Sequence, residues 1–276
     1  MSHYTCTTCG AQYDASDQPP GNCSVCSDDR QYVLPSGQKW ATREELIEQG
    51  YHNVITQVEP GVHSITVEPK LGIGQQAFLI QTPGGNVLWD CLGFLHPDFI
   101  KEVVSLGGIK SIAVSHPHFY TPCVDWAEAF DCQVHLPEHD SKWVMRPSPR
   151  LSFWTGESKQ LMPGAEIIRL GGHFPGSSVL LWRDGSEGCG SVFAGDTLFP
   201  TPDQKWVSIM YSFPCLVPLP AQQATRIRRR LEGYSFECLY GAFPHTLVPA
   251  GAADVVQRSL QRYSDMLEGN IEREFY

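Results

Sequence analysis

Candidate metal ligands in this sequence follow β-rich runs one after another, and this arrangement constrains the fold more than any other feature. The five candidates are His116, His118, His173, Asp196 and His245. His116 and His118 come directly after the apolar run 111–114, whereas the other three each follow a separate run. Side chains alternate along an extended segment, so His116 and His118 point to the same side and can reach one cation. The separate strands are therefore predicted to end on one common rim.

The imidazoles among these candidates favour a catalytic metal. Three protein ligands with one open position are typical of a catalytic zinc site. His116, His118 and His173 supply such a set, and Asp196 lies beside it. A lone histidine on a loop is more often a surface or core residue, so the prediction depends on the four side chains occurring together.

The remaining pattern predicts two sheets with helices outside them. The β-rich runs are 65–67, 77–80, 87–89, 111–114, 133–136, 166–170, 178–182, 191–194 and 237–240. The helical runs are 42–49, which opens with a capping box, 97–106, 122–130, 221–231 and 252–267. Two successive β-rich halves that each close with helices predict an α/β (α+β) fold with its sheets packed face to face.

The ordered ligands resemble the metallo-β-lactamase superfamily, whose first motif is His-x-His-x-Asp-His, followed by a loop His, a bridging Asp and a last His. His116, His118, His173, Asp196 and His245 match in that order, from about Gly61 onward. The run Val87–Asp90 is similar to the family's early strand. The resemblance implies an αββα sandwich with the metal site along one edge and Asp90 supporting the first motif from behind.

Two positions depart from the family's first motif. Tyr120 and Thr121 stand where the family has the Asp and the second His that normally hold a second metal. One firmly held ion is therefore expected, with His245 and Asp196 left for any second ion. Tyr120 could be a spacer, a metal ligand or a phenol that donates a hydrogen bond to a developing oxyanion, and we favour the donor.

Four cysteines near the start form a second candidate metal site. They are Cys6, Cys9, Cys23 and Cys26, in two Cys-x-x-Cys pairs that can present four thiolates tetrahedrally. The segment Cys6–Asp14 resembles the first knuckle of rubredoxin, but Ser27 follows the second pair where that family has Gly. Zinc is therefore preferred, with iron as the alternative. Two disulfides are the weaker interpretation because the chain opens without a secretory signal.

The charge balance and the apolar runs exclude several classes of protein. Twenty Lys and Arg against 30 Asp and Glu give a net charge of −10, which argues against a nucleic-acid partner. The run Arg226–Arg230 is interpreted as a solvated helix face. No apolar run approaches the length of a membrane span. These features indicate a cytoplasmic protein without a membrane partner.

The predicted organisation has three parts. Residues 1–32 form a zinc-ribbon or rubredoxin-like module, 33–60 a linker with a short helix, and 61–276 the metallo-β-lactamase-like domain. The module is also a possible surface for a protein partner or for self-association.

A metal-dependent hydrolase is the leading hypothesis for function. A metal-bound hydroxide would attack an ester, thioester, lactone or amide of a small molecule, with Tyr120 and Asp196 as catalytic residues. The His/Asp site would hold Zn²⁺ or Fe²⁺. The alternatives are a mononuclear iron oxidoreductase resembling the persulfide dioxygenases, and a non-catalytic metal-binding scaffold.

Overall fold

A computed structural model describes residues 1–270 of the chain. Its first part is the four-cysteine module, in which β1 (Thr5–Cys6) pairs with β2 (Trp40–Ala41). Helix α1 (Arg43–Glu48) follows and has the predicted capping box: Thr42 Oγ accepts from the Glu45 amide, and the Glu45 carboxylate accepts from the Thr42 amide.

A seven-stranded sheet forms the first half of the sandwich. Its strands are β3 (His52–Glu59), β4 (Val62–Glu68), β5 (Ala77–Ile80), β6 (Val87–Trp89), β7 (Ser111–Ala113), β8 (Gln133–Pro137) and β9 (Leu151–Trp154). They lie side by side in chain order, antiparallel from β3 to β6 and parallel from β6 to β9.

The second half is built around a six-stranded sheet and two short hairpins. The strands are β10 (Ser158–Met162), β11 (Ala165–Arg169), β12 (Ser178–Trp182), β13 (Ser191–Phe193), β14 (Phe199–Pro200), β15 (Val207–Ser208), β16 (Met210–Ser212), β17 (Val217–Pro218), β18 (Cys238–Tyr240) and β19 (Leu247–Val248). The sheet order is β10-β11-β12-β13-β18-β19, with β13 and β18 parallel. The hairpins pair β14 with β15 and β16 with β17.

The other helices and turns complete the described chain. They are α2 (Pro97–Ser105), α3 (Cys123–Ala129), a single turn α4 (Gly185–Gly188), α5 (Ala221–Arg230) and α6 (Ala252–Glu268), with 3₁₀ turns at Pro117–Phe119 and Glu138–Trp143. None of the helices within residues 1–270 combines the length and the apolar character needed to cross a membrane.

Three buried clusters define the layers. The cluster between the sheets joins Phe78 and Trp89 of the first sheet to Leu180 and Phe193 of the second. A second cluster packs α2 and α3 against the outer face of the first sheet, and a third packs α5 and α6 against the second sheet. The order helix, sheet, sheet, helix confirms the predicted αββα sandwich.

The four-cysteine module packs on the sandwich. Its cysteines and Val25 belong to the same buried cluster as α3 and the first sheet. Gly10 lies against Thr121, and a Cβ at Gly10 would come within 3.2 Å of the Thr121 methyl group. The module therefore covers the loop in which the family resemblance places the ligands of a second metal.

One segment of the predicted linker is a strand of the sandwich. Strand β3 pairs with β4, so the seven-stranded sheet begins at His52 rather than after residue 61. The sequence pattern does not indicate this strand clearly, because β3 lies at the edge of the sheet and its residues are mostly exposed or half-buried, without a long apolar run. The remaining limits of the three predicted parts stay a prediction.

Candidate metal centre

Three imidazoles and one carboxylate meet at one edge of the sandwich. Ligand atoms of His116, His118, His173 and Asp196 all lie within 4.8 Å of one another, and all four side chains are buried. The His118 Nδ1 and His173 Nε2 atoms are 3.2 Å apart, and His116 Nε2 is 3.4 Å from Asp196 Oδ2. The residues follow β7, β11 and β13, so strands of both sheets contribute to the group.

The path from His116 to His118 differs from the expected extended segment. His116 is extended, but Pro117–Phe119 form a 3₁₀ turn in which the Phe119 amide donates to the His116 carbonyl at 3.0 Å. Pro117 favours this turn because its ring fixes φ near −65°. The turn still brings the two imidazoles together, with ring centroids 5.2 Å apart.

Neighbouring groups orient two of the imidazoles. The Ser115 hydroxyl lies 2.8 Å from His116 Nδ1, while the Ser115 amide donates to Asp90 Oδ1 at 2.7 Å. His173 Nδ1 lies 2.8 Å from the Tyr211 carbonyl oxygen, to which it can donate. Because a carbonyl can only accept, His173 carries its proton on Nδ1 and its Nε2 has a free lone pair, while the Ser115 contact holds the ring of His116 in place.

The donor atoms fit a metal ion. His116 Nε2 and Asp196 Oδ1 are buried and have no hydrogen-bond partner among residues 1–270. Nitrogen ligands about 2.0–2.1 Å from a tetrahedral zinc lie roughly 3.3 Å apart. This distance is close to the 3.2 Å between His118 and His173 and the 3.4 Å between His116 and Asp196. Burial lowers the pKa of His118 well below its usual value and that of His173 to about 4, so both imidazoles are neutral near pH 7, as metal ligands must be.

A cavity of about 390 Å³ opens over this group. His118, His173 and Asp196 line one side of it. Its other lining residues include the apolar Ile73, Phe213 and Phe243 and the polar Gln31, Tyr32 and Lys70. The cavity thus combines apolar and aromatic side chains with a few polar groups, among them the candidate ligands, which is typical of a small-molecule site.

The four cysteines form a second group of candidate ligands. Their sulfur atoms lie within 4.8 Å of one another, with Cys6 and Cys26 separated by 3.7 Å and Cys9 and Cys23 by 3.6 Å. All four are free thiols, so the disulfide alternative does not hold. Sulfurs about 2.3 Å from one zinc lie roughly 3.8 Å apart in a tetrahedron. This spacing fits a four-thiolate site.

Arg30 connects the two groups and was not among the predicted site residues. Its Nε donates to the His173 carbonyl at 2.8 Å, and its guanidinium stacks on the rings of Phe174 and Tyr211, 4.5 and 4.4 Å from their centroids. An ion pair with Asp28 at 2.7 Å holds it in place. Arg30 lies four residues after Cys26, so the module fixes the loop that carries His173.

The sequence has a close full-length relative. No protein-family model matches this chain. Over 272 residues the chain is 44% identical to "Uncharacterized protein YmaE" of Bacillus subtilis (strain 168), an alignment that covers 98% of this chain and 99% of the relative. The chain belongs to the YmaE family.

Solved structures show which fold this member of the YmaE family has. A B3 metallo-β-lactamase with an active-site glutamic acid aligns with a TM-score of 0.54 and 17% identity, over 88% of this chain and 97% of that one. FIM-1 of Pseudomonas aeruginosa, in its mono-zinc form, aligns with a TM-score of 0.56 and 13% identity, over 77% and 96%. The Cronobacter sakazakii metallo-β-lactamase with a HARLDQ motif aligns with a TM-score of 0.53 and 17% identity, over 78% of this chain and 94% of that one. The chain has the metallo-β-lactamase fold.

Two of the predicted site residues are not in the metal pocket of this YmaE-family protein. His245 is exposed, has φ of 68°, and lies outside the ligand group. Tyr120 is buried and lines a separate small cavity with Val25 and Trp143, between the module and α3. We therefore withdraw the oxyanion-donor role of Tyr120 and the ligand role of His245. Asp90 is buried behind the site, where it accepts from Ser115 as described above.

We expect Gly195→Ala to weaken metal binding at the His/Asp group by about 10–100-fold, the usual cost of disturbing groups around the ligands. Gly195 has φ of 57°, and an added Cβ would lie 2.7 Å from Ser115 Cβ, which would displace the partner of His116. Gly251→Ala is the matched control, because Gly251 has φ of 61° with open space around it. Competition titration with a zinc chelator measures the difference. Equal zinc affinity in the two variants would contradict the prediction.

Proposed function

We propose that this protein is a metal-dependent hydrolase that cleaves an ester, thioester, lactone or amide bond of a small molecule. The observation that carries the proposal is the gathering of three imidazoles and a carboxylate at a cavity that is also lined by aromatic side chains. A divalent ion held there would lower the pKa of a bound water to near 7 and polarise the substrate carbonyl.

Each residue of the group has a proposed part in this reaction. His116, His118 and His173 hold the ion, and the contacts from Ser115 and Tyr211 keep two of these rings in a fixed orientation. Asp196 lines the cavity and accepts the proton that the attacking water gives up. Its Oδ1 has no hydrogen-bond partner among the described residues and is available for that proton.

The cavity walls support a small organic substrate. Phe213 stacks at a tilt on Phe199, 4.9 Å between centroids, and Phe243 packs against Phe199 at 5.9 Å. This aromatic wall would bind the apolar part of a substrate and exclude bulk water from the reacting atoms. The four-cysteine site would hold a structural zinc, because a module of this size buries too little apolar surface to fold alone.

The test combines metal analysis with a substrate panel. We expect the purified protein to contain zinc and to hydrolyse at least one of p-nitrophenyl acetate, an acyl thioester, a lactone and nitrocefin. A chelator should abolish this hydrolysis, and added zinc should restore it. Iron at the His/Asp group with oxygen consumption would instead indicate the oxidoreductase. A fully metal-loaded protein that hydrolyses none of the substrates would favour the scaffold.

A further inference from the structure

A second, larger cleft lies behind the loop that carries His173. Its volume is about 870 Å³, and Gly171, Gly172 and Pro175 of this loop form part of its wall. The candidate metal ligands do not line it; His118, His173 and Asp196 face the other cavity. The two cavities are therefore separate spaces that share one loop.

Five arginines from the described part of the chain line this cleft. They are Arg30 from the module, Arg169 from the end of β11, and Arg226, Arg229 and Arg230 from α5. Glu157 is the one acidic residue that the described range 1–270 contributes to the lining. The chain has 20 cationic side chains and a net charge of −10, so a quarter of its cations gather at one place in an otherwise acidic protein. The exposed helix face interpreted from the run Arg226–Arg230 therefore also borders a cleft.

Most of this positive charge is not neutralised by the residues that the structure describes. Arg230 pairs with Glu157. Arg169 donates to the backbone carbonyls of Gly156 and Pro175, at 2.8 and 3.4 Å, which leaves its charge in place. Arg226 and Arg229 are exposed and form no ion pair with any residue in the range 1–270. Like charges held together repel one another, so an anion in the cleft would stabilise them.

The chemistry of the lining points to phosphate. Guanidinium groups bind phosphate oxygens in a bidentate way, and arginine is the preferred residue for this contact. The side-chain amides of Gln222 and Gln223 add neutral donors beside the arginines. The volume of the cleft is that of a small-molecule site, whereas a long polyanion would have to cross the acidic remainder of the surface.

We propose that this cleft binds a small organic molecule that carries at least two phosphate groups. Arg169, Arg226 and Arg229 supply the uncompensated charge, and Leu170 and Leu219 offer apolar contact to the organic part. The site is independent of the ion at the His/Asp group, although the ligand would lie against the loop that holds His173.

Calorimetric titration of the full-length protein with inorganic pyrophosphate tests this site. We expect saturable binding whose Kd rises at least tenfold in the double variant Arg226→Ala/Arg229→Ala. Arg228→Ala is the matched control, because Arg228 lies on the same helix but pairs with Glu232 and does not line the cleft. Both altered arginines are exposed, so their removal leaves the fold intact.

A His116→Ala variant separates this cleft from the metal pocket, and pyrophosphate should bind it as it binds the unaltered protein. The proposal fails if pyrophosphate does not saturate, if the double variant binds it unchanged, or if His116→Ala alone abolishes binding. It also fails if a single-stranded oligonucleotide, but not pyrophosphate, binds through Arg226 and Arg229.

Discussion

Replacing His116 by alanine should remove the ion from the His/Asp group and lower hydrolysis by more than about 100-fold. His116 Nε2 is buried beside Asp196 and has no hydrogen-bond partner within residues 1–270, so its loss deletes one of the candidate ligands rather than an outer contact. Loss of an outer partner already costs about 10–100-fold in metal affinity or activity. Metal analysis and rate measurement on the same preparation check both parts.

The control for this variant is His52→Ala. His52 is exposed at the start of the edge strand β3, far in sequence from the ligands, and its substitution should change neither metal content nor rate. The four-cysteine ion should remain in both variants. Unchanged metal content in His116→Ala would remove the basis for the proposed hydrolase.

The second large effect is expected from Cys23→Ser, which should cost the protein one metal ion and about 3 kcal/mol or more of stability. Cys23 is fully buried, and hydrogen bonds from Cys26 and Cys6 lower its pKa, which favours the thiolate that a metal requires. For a domain of this size, the loss corresponds to a fall in Tm of roughly 6 °C or more. Thermal unfolding followed by circular dichroism measures it.

Cys189→Ser is the matched control, since Cys189 is an exposed free thiol at the end of the turn α4. Its Tm and metal content should equal those of the unaltered protein. The Cys23 variant should also hydrolyse more slowly, because a loosened module releases Arg30 from the His173 carbonyl. A Cys23→Ser protein with full metal content and an unchanged Tm would contradict a structural metal in the module.

The ligand group could be predicted because its residues lie shortly after the ends of strands. His116, His173 and Asp196 follow apolar runs that the structure shows as β7, β11 and β13, and the face-to-face sheets bring those strand ends together. The helices α2, α3, α5 and α6 were predicted to within two residues at each end, since their apolar spacing and their stop signals agree.

The two withdrawn site residues show that the order of residues along the chain does not by itself determine which side chains reach the site. His245 follows β18 as the resemblance requires, but its left-handed backbone and exposed position place it outside the group. Tyr120 follows the 3₁₀ turn and is buried under the module, in a contact with a segment about a hundred residues earlier in the chain. Neither the local backbone conformation nor this docking has a signal in the sequence pattern.

The arginines also show that contacts between distant segments cannot be predicted from the sequence pattern. Arg30 contacts His173 across 143 positions of sequence, and the five arginines of the cleft come from three distant segments. A run such as Arg226–Arg230 indicates an exposed helix face by itself. Only the folded chain, in which Arg30, Arg169 and residues of α5 line one space, shows that part of this face borders a cleft.

The most direct measurement for the central claim is anomalous diffraction from crystals of the purified protein, recorded at the absorption edge of the metal that elemental analysis finds. We expect one anomalous peak among His116, His118 and His173, about 2.0–2.1 Å from a nitrogen of each ring, and a second peak among the four cysteines. The three imidazoles standing apart, with no peak between them in a protein supplied with metal, would contradict the account.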